Sequence, residues 1–174
     1  MTVEHTYYAS DAGKQFKRME VVAEPEAIPA YAHVGDAGMD LRAAEDVVVL
    51  PAVDANPFGM SLYSRDHNNN IVRVRTGLKI ALPPMHVGFI VPRSGLGSKG
   101  LTVANSPGTI DAGYRGEIQV ALVNHSRKNF EIKKGDRIAQ LVVVPFTQVD
   151  IEVVNEFSEE TERGEGGFGS TGSN

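Results

Sequence analysis

The stretch Glu117-Ile118-Gln119-Val120-Ala121-Leu122-Val123-Asn124 decides the fold class. Ile118, Val120 and Leu122 alternate with Glu117, Gln119 and Ala121, and a period of two places the branched residues on one face of a half-buried strand. Val72-Arg73-Val74-Arg75 alternates more cleanly still. Outward from these, short apolar runs recur at 47–50, 71–75, 78–82, 87–92, 116–124, 130–132, 138–145 and 149–154. The 18 glycines and nine prolines interrupt the chain too often for long helices. Many short strands with turn signals between them predict an all-β sandwich, jelly roll or barrel. Residues 134–143 could begin a helix after Gly135-Asp136, but Leu141, Val142, Val143 and Val144 favour a strand.

A chain of 174 residues suits one domain, which buries roughly 70% of the surface its unfolded form exposes, so the core needs no covalent staple. The absence of cysteine removes disulfides, thiolate-held metals and thiol nucleophiles. The net charge of −5, from 17 basic and 22 acidic residues, argues against direct nucleic-acid binding through phosphate neutralisation. A small anionic ligand stays open, since a few local donors hold it. No apolar run approaches the ~20 residues that span a bilayer, and Met1-Thr2-Val3-Glu4-His5 does not begin a secretory signal. The expectation is a cytoplasmic protein without membrane contact. Residues 1–18 are expected to be an N-terminal extension, 19–157 a β-domain carrying an inserted loop at 52–70, and 158–174 a mobile tail.

Five stretches are too polar or too rich in glycine for plain core strands. In Gly35-Asp36-Ala37-Gly38-Met39-Asp40-Leu41, two carboxylates four apart could hold a hard cation or simply form a turn. Pro92-Arg93-Ser94-Gly95-Leu96-Gly97-Ser98-Lys99-Gly100 combines bared N–H groups, hydroxyls and cations, as a phosphate-binding turn or helix start does. The spacing is not that of a P-loop. Asn105-Ser106-Pro107-Gly108-Thr109-Ile110-Asp111-Ala112-Gly113-Tyr114-Arg115-Gly116 reads as a hairpin offering backbone groups to a flat heterocycle, with Asp111 and Tyr114 nearby, or as two consecutive turns. Gln140, in Gly135-Asp136-Arg137-Ile138-Ala139-Gln140-Leu141, lies on an open face or reaches a ligand. The fifth stretch, Arg163-Gly164-Glu165-Gly166-Gly167-Phe168-Gly169-Ser170-Thr171-Gly172, could be a disordered tail or a lid. His5, His33, His67, His86 and His125 have no ligand-like spacing, and there is no Gly-x-Ser-x-Gly elbow.

Taken in order, Asp36-Ala37-Gly38-Met39-Asp40-Leu41, Pro92-Arg93-Ser94-Gly95-Leu96, the run from Gly108 to Ile118, the run from Gly135 to Leu141 and the tail closely resemble the five motifs of the homotrimeric dUTPase family, most strongly its bacterial and phage members. The resemblance implies a jelly-roll-like (β-clip) subunit and a homotrimer whose three sites each draw on all three chains. It also implies Mg²⁺-dependent hydrolysis of dUTP to dUMP and diphosphate, which limits uracil in DNA and supplies dUMP for thymidylate synthesis. By the same resemblance Asp111 is the general base for water attacking the α-phosphorus, and Tyr114 packs under the deoxyribose and excludes a 2′-hydroxyl.

Thr109, Ile110 and Asp111, with the Asn105 side chain, would then read the uracil edge, while Arg93, Ser94, Gly95 and Gln140 contact phosphates. Asp40 would hold waters of a Mg²⁺ bound mainly by the substrate's phosphates. Gln119 would lie near the sugar. Arg163, Gly169, Ser170, Thr171 and Gly172 would close on the γ-phosphate, with Phe168 over uracil. The N-terminal extension and the 52–70 insertion exceed the compact family core but interrupt no motif. The readings set against this one are a dCTP deaminase of the same fold and a dUTP-binding regulatory protein.

Overall fold

The computed structural model describes residues 17–51, 71–159, 161 and 164. The bodies of the N-terminal extension, the 52–70 insertion and most of the tail, with Arg163, Phe168, Gly169, Ser170 and Thr171, lie outside the described residues. Among those described, eleven strands account for nearly all regular structure, as the alternating pattern predicts. In chain order they are β1 (Glu20–Val22), β2 (Gly38–Arg42), β3 (Val47–Val49), β4 (Ile71–Arg75), β5 (Lys79–Ala81) and β6 (His86–Val91). After the four-residue helix α1 (Ser94–Gly97) come β7 (Leu101–Val103), β8 (Gly108–Ile110), β9 (Gln119–Asn124), β10 (Phe130–Ile132) and β11 (Arg137–Pro145). No helix among the described residues is long and apolar enough to cross a membrane.

The strands form a four-stranded sheet in the order β2-β11-β6-β8, a three-stranded sheet β4-β9-β7, and two pairs, β1-β5 and β10-β3. All named pairs are antiparallel. Along β9 the alternation holds as read: Val120, Leu122 and Asn124 are buried, as is Ile118 just before the strand. These side chains meet Leu41, Leu78, Leu101, Ile138 and Leu141 in one core. Full burial of such an aliphatic side chain contributes about 1.5–3 kcal/mol, so the alternation supplies most of the drive to close the sheets on each other.

Two polar side chains in the core are satisfied. Thr76 Oγ1 donates to the Ile118 carbonyl at 2.7 Å, and Asn124 Nδ2 donates to the carbonyls of Val49 and Lys128 at 3.0 and 2.7 Å. Among the described residues no buried side-chain nitrogen or oxygen lacks a partner. Such groups stabilise one register over its neighbours, because a slip would strand them without partners.

The sequence reading needs three corrections. Residues 149–154 form no strand: Val149, Ile151 and Val153 are 72%, 88% and 92% exposed. Their apolar alternation is real, but within one chain no described sheet edge pairs with them. Conversely β1, β2 and β7 escaped sequence reading: β1 and β7 are as short as β3, β5 and β10, but all three lie outside the apolar runs, β1 and β7 carrying Glu20 and Thr102 within three positions. β2 also contains Gly38 and Asp40, residues depleted in strands, and takes its extended form from pairing with β11. Third, 105–116 is not a self-contained hairpin, since β8 pairs with β6 while β7 pairs with β9. The 134–143 stretch is strand as favoured, because β11 is sandwiched between β2 and β6 and its ladder is satisfied on both sides.

Candidate active site

Three neighbouring strands assemble the first group of side chains. Asp40 on β2 stands opposite Gln140 on β11, and Gln140 opposite Val91 on β6, which delivers Arg93 two residues later. Arg93 Nε donates to Asp40 Oδ1 at 2.9 Å and Arg137 Nη1 to Asp40 Oδ2 at 3.2 Å. Gln140 Nε2 reaches Oδ1 at 3.5 Å, the outer limit for a hydrogen bond. A Cβ on Gly38 would lie 3.2 Å from Gln140 Cδ, so glycine there leaves room for the amide. Asp40 is largely buried, at 13% exposure, and its pairing with two guanidinium groups strengthens the bonds. One carboxylate against two guanidiniums leaves an excess of positive charge. No described residue takes the Nη nitrogens of Arg93.

Directly after Arg93, α1 turns the chain: Leu96 and Gly97 donate to the Arg93 carbonyl at 3.0 and 2.9 Å. The N–H groups of Ser94 and Gly95 precede those bonds, and both residues are exposed. Arg93, Ser94, Gly95 and Gln140 thus form one donor-rich patch around Asp40. Asp36 does not join it; its carboxylate caps its own turn by accepting from the His33 N–H at 2.8 Å. The two-carboxylate cation reading therefore fails here. Among the described residues no group of three or more His, Asp or Glu side chains could hold a metal. Asp40 fits a different kind of ion, one carried in by its ligand with waters attached. A carboxylate has about four acceptor positions, and one on Oδ2 remains beside Arg137.

The second group lies around β8. This strand has β6 on one side and no neighbour on the other among the described residues, so part of its N–H and C=O row is open. Asn105 lies against its start, with the amide nitrogen 3.3 Å from where a Gly108 Cβ would be. Asp111 follows Ile110 at the head of a turn closed by the Tyr114 N–H donating to the Asp111 carbonyl at 3.0 Å. The Asp111 side chain is exposed, and its carboxylate has no hydrogen-bond or ion-pair partner among the described residues. Tyr114 is 43% exposed, and its hydroxyl donates to the Glu117 carbonyl at 3.0 Å. Gln119 opens β9, exposed, opposite Arg75 of β4.

These two groups do not meet within one chain. β2 and β8 are opposite edges of the four-stranded sheet, three inter-strand steps or about 14 Å apart. The register places Asp40 in the row of Gln140 and Asp111 just past Ile110, which is opposite Gly88 and so in the row of Val143. That adds an offset of about 13 Å along the strands, for a separation of about 19 Å between the two backbones.

Two residues beside these groups were not singled out from sequence. Arg137 was given no role of its own within the 135–141 stretch, though it stands three positions before Gln140 on the same strand. Glu117 looked like the outward side of an alternating strand. Its carboxylate instead accepts from the Gly77 N–H at 2.8 Å and from Arg75 at 3.1 Å. The signal available was Arg75, the outward cation of the other alternating strand. Burial opposes ionisation of Glu117, but the Gly77 N–H and the Arg75 guanidinium outweigh it and hold the carboxyl below its ordinary 4.5. A carboxyl whose folded value is depressed adds stability above the unfolded value and loses it as pH falls through the folded one. The wild-type chain should therefore exceed Glu117→Gln in Tm by a constant margin at neutral pH. The margin should shrink as pH drops below 4.5, as thermal scans from pH 7 to about pH 3 would read. A margin constant to the acid end would show that the ion pair adds nothing.

Comparison with known proteins places the chain in a family. The dUTPase family model matches residues 24–172. The deoxyuridine 5′-triphosphate nucleotidohydrolase of Clostridium tetani is 46% identical over 156 residues, covering 89% of this chain and 95% of that protein. That of Clostridium kluyveri is 48% identical over 146 residues, covering 83% and 90%. Among solved structures, the dUTPase of Staphylococcus bacteriophage 80alpha with dUpNHpp superposes with a TM-score of 0.73 at 29% identity, covering 91% of this chain and all of that one. The dUTPase of phage phi11, whose structure visualises a species-specific insert, gives 0.65 at 25% identity over 82% and 99%. With a matching family model over most of its length, relatives near half identity and a shared jelly-roll-like fold, the chain belongs to the dUTPase family, enzymes that hydrolyse dUTP.

Proposed function

We propose that the enzyme hydrolyses dUTP to dUMP and diphosphate by water attack on the α-phosphorus, with Asp111 as general base. The observation that carries this is the contrast between two carboxylates: Asp40 is engaged by two guanidinium groups, whereas the exposed Asp111 carboxylate has no partner among the described residues. A base must have a free lone pair to take a proton from water, and Asp111 has it. The open edge of β8 with Asn105 supplies backbone and amide groups matched to the donor–acceptor edge of uracil. A thymine methyl would be rejected sterically, and cytosine by mispaired polar groups in a dry pocket, the costlier error.

Tyr114, with its hydroxyl anchored to Glu117, presents the flat of its ring to the deoxyribose. Gln119 lies at the same side. Arg93, the N–H groups of Ser94 and Gly95, and Gln140 hold the phosphates, and their positive excess stabilises charge that builds up on the phosphorus oxygens. Asp40 would hold Mg²⁺ through water, and the ion's chemistry there is neutralisation of phosphate charge. A structure of the phage phi11 enzyme describes the coordination of a structural Mg(II) ion.

The site we propose is shared between copies of the chain in a homotrimer. The separation of about 19 Å between the phosphate group and the Asp111 group exceeds what one base-sugar-phosphate contact set can tolerate within a single subunit. A neighbouring copy closes that gap by presenting its own β8 edge. Exposed Val149, Ile151, Val153 and Phe157 support association, since an apolar alternation this bare asks for a partner strand or surface.

The direct test is diphosphate release from dUTP, dCTP, dTTP and UTP, each with Mg²⁺ and with chelator. Release from dUTP alone, lost on chelation, is expected. Ammonia release from dCTP would instead establish the deaminase reading. Binding of dUTP without turnover would establish a regulatory one.

A further inference from the structure

Tyr114 is held by two features that the proposed reaction does not itself require. The first is Gly116. A Cβ built on it would collide with the Tyr114 hydroxyl oxygen and lie 2.6 Å from Cζ, so the tyrosine ring lies across a bare backbone. The second is Glu117, whose carbonyl accepts the Tyr114 hydroxyl at 3.0 Å. A carbonyl is a good anchor only if its own peptide is immobile, and Glu117 is tied on every side. Its carboxylate accepts from the Gly77 N–H at 2.8 Å and from Arg75 at 3.1 Å. The next residue, Ile118, donates to the Leu78 carbonyl at 2.8 Å and accepts from Thr76 Oγ1 at 2.7 Å. Gly77 has a φ of +66°, a left-handed turn that glycine adopts without strain, and this turn aims its N–H at the carboxylate.

The tie extends one element further. The Arg75 N–H donates to Glu45 Oε1 at 3.1 Å, and the Ala44 N–H donates to the Arg75 carbonyl at 2.8 Å. The ring of Tyr114 is therefore referenced through Glu117 to the β4–β5 turn, which buried Thr76 anchors, and not only to the exposed turn on which it sits. Sugar selection by steric exclusion needs this. A ring that could retreat by about 1 Å would admit a hydroxyl, because steric rejection is only as strong as the wall is stiff.

We infer that Glu117 is a positioning residue for sugar selection, and that Gly116 and Glu117 together form the seat that keeps Tyr114 close enough to reject a 2′-hydroxyl. This rests on the reading that Tyr114 faces the deoxyribose. In this reading both residues act through Tyr114, to which they are bound or packed.

The experiment compares kcat/KM for dUTP and for UTP in Gly116→Ala, Glu117→Ala, Glu117→Gln and Tyr114→Ala, with Tm recorded for each. Gly116→Ala and Glu117→Ala are each expected to lower the dUTP:UTP ratio about tenfold, chiefly through improved use of UTP. Glu117→Gln retains an acceptor for the Gly77 N–H and should recover part of the ratio. A residue that only stabilised the fold would lower Tm and both rates together, leaving the ratio where it was. If Tyr114→Ala collapses the ratio while the Gly116 and Glu117 variants keep it, the seat is refuted and the sugar reading stands. If Tyr114→Ala itself keeps the ratio, the sugar reading falls and the seat with it. Should Glu117→Ala not fold, Glu117→Gln and Gly116→Ala decide by the same ratio.

Discussion

Asp111→Asn is expected to bind dUTP within about threefold of wild type and to turn it over about 10²–10⁴ times more slowly. The amide matches the carboxylate in shape, and the Asp111 side chain supports no other group among the described residues, so the turn and the Tyr114 N–H bond to the Asp111 carbonyl should survive. What disappears is the lone pair able to accept a proton from water. Removing a negative charge near bound phosphates could even tighten binding slightly, which makes the split between affinity and turnover diagnostic. Calorimetric binding of a non-hydrolysable dUTP analogue, beside single-turnover hydrolysis, reads both quantities. Turnover near the wild-type rate would remove Asp111 from the role of base.

Co-expression of two inactive variants should restore activity. Arg93→Gln damages the phosphate group while leaving a donor for Asp40, and Asp111→Asn damages the other group. Each alone should sit near background. If a site takes its phosphate group from one chain and its base from a neighbour, random mixing of equal amounts leaves about a quarter of the sites with both halves intact. A site contained in one chain has no intact half to borrow, so mixed protein would stay at background. The expected gain is therefore from near zero to about a quarter of wild-type kcat at unchanged KM. Background activity in the mixed sample would overturn the shared site, whatever the oligomeric state proves to be.

Much of the molecule was legible along the chain. The alternation of Ile118, Val120 and Leu122 survives as the buried face of β9 and of the residue just before it, and the Val72 and Val74 run becomes β4 beside it. Period two is a local property of an extended backbone, so it can be read without knowing the partner strand. The five polar stretches were legible for a similar reason: glycine, carboxylate and guanidinium at short spacing are too costly in a core to be there for packing.

Other features were settled only by the fold. Three-residue strands such as β7 and β8 carry no usable period, and which sheet each joins follows from pairing across the whole chain. Asp40 read as a metal-facing carboxylate; the fold brought Arg93 and Arg137 to it from 53 and 97 residues away. Glu117 read as a solvent-facing residue, and the fold closed it onto Gly77 and Arg75. The residues at 149–154 read as a strand, yet a strand needs a partner edge, and the single chain offers it none among the described residues. By itself the sequence determined the strand character, the chemistry-bearing stretches and their order. The tertiary structure alone decided which of those stretches meet and which stay about 19 Å apart, because burial period and side-chain chemistry act over a few residues whereas register couples strands far apart in the chain.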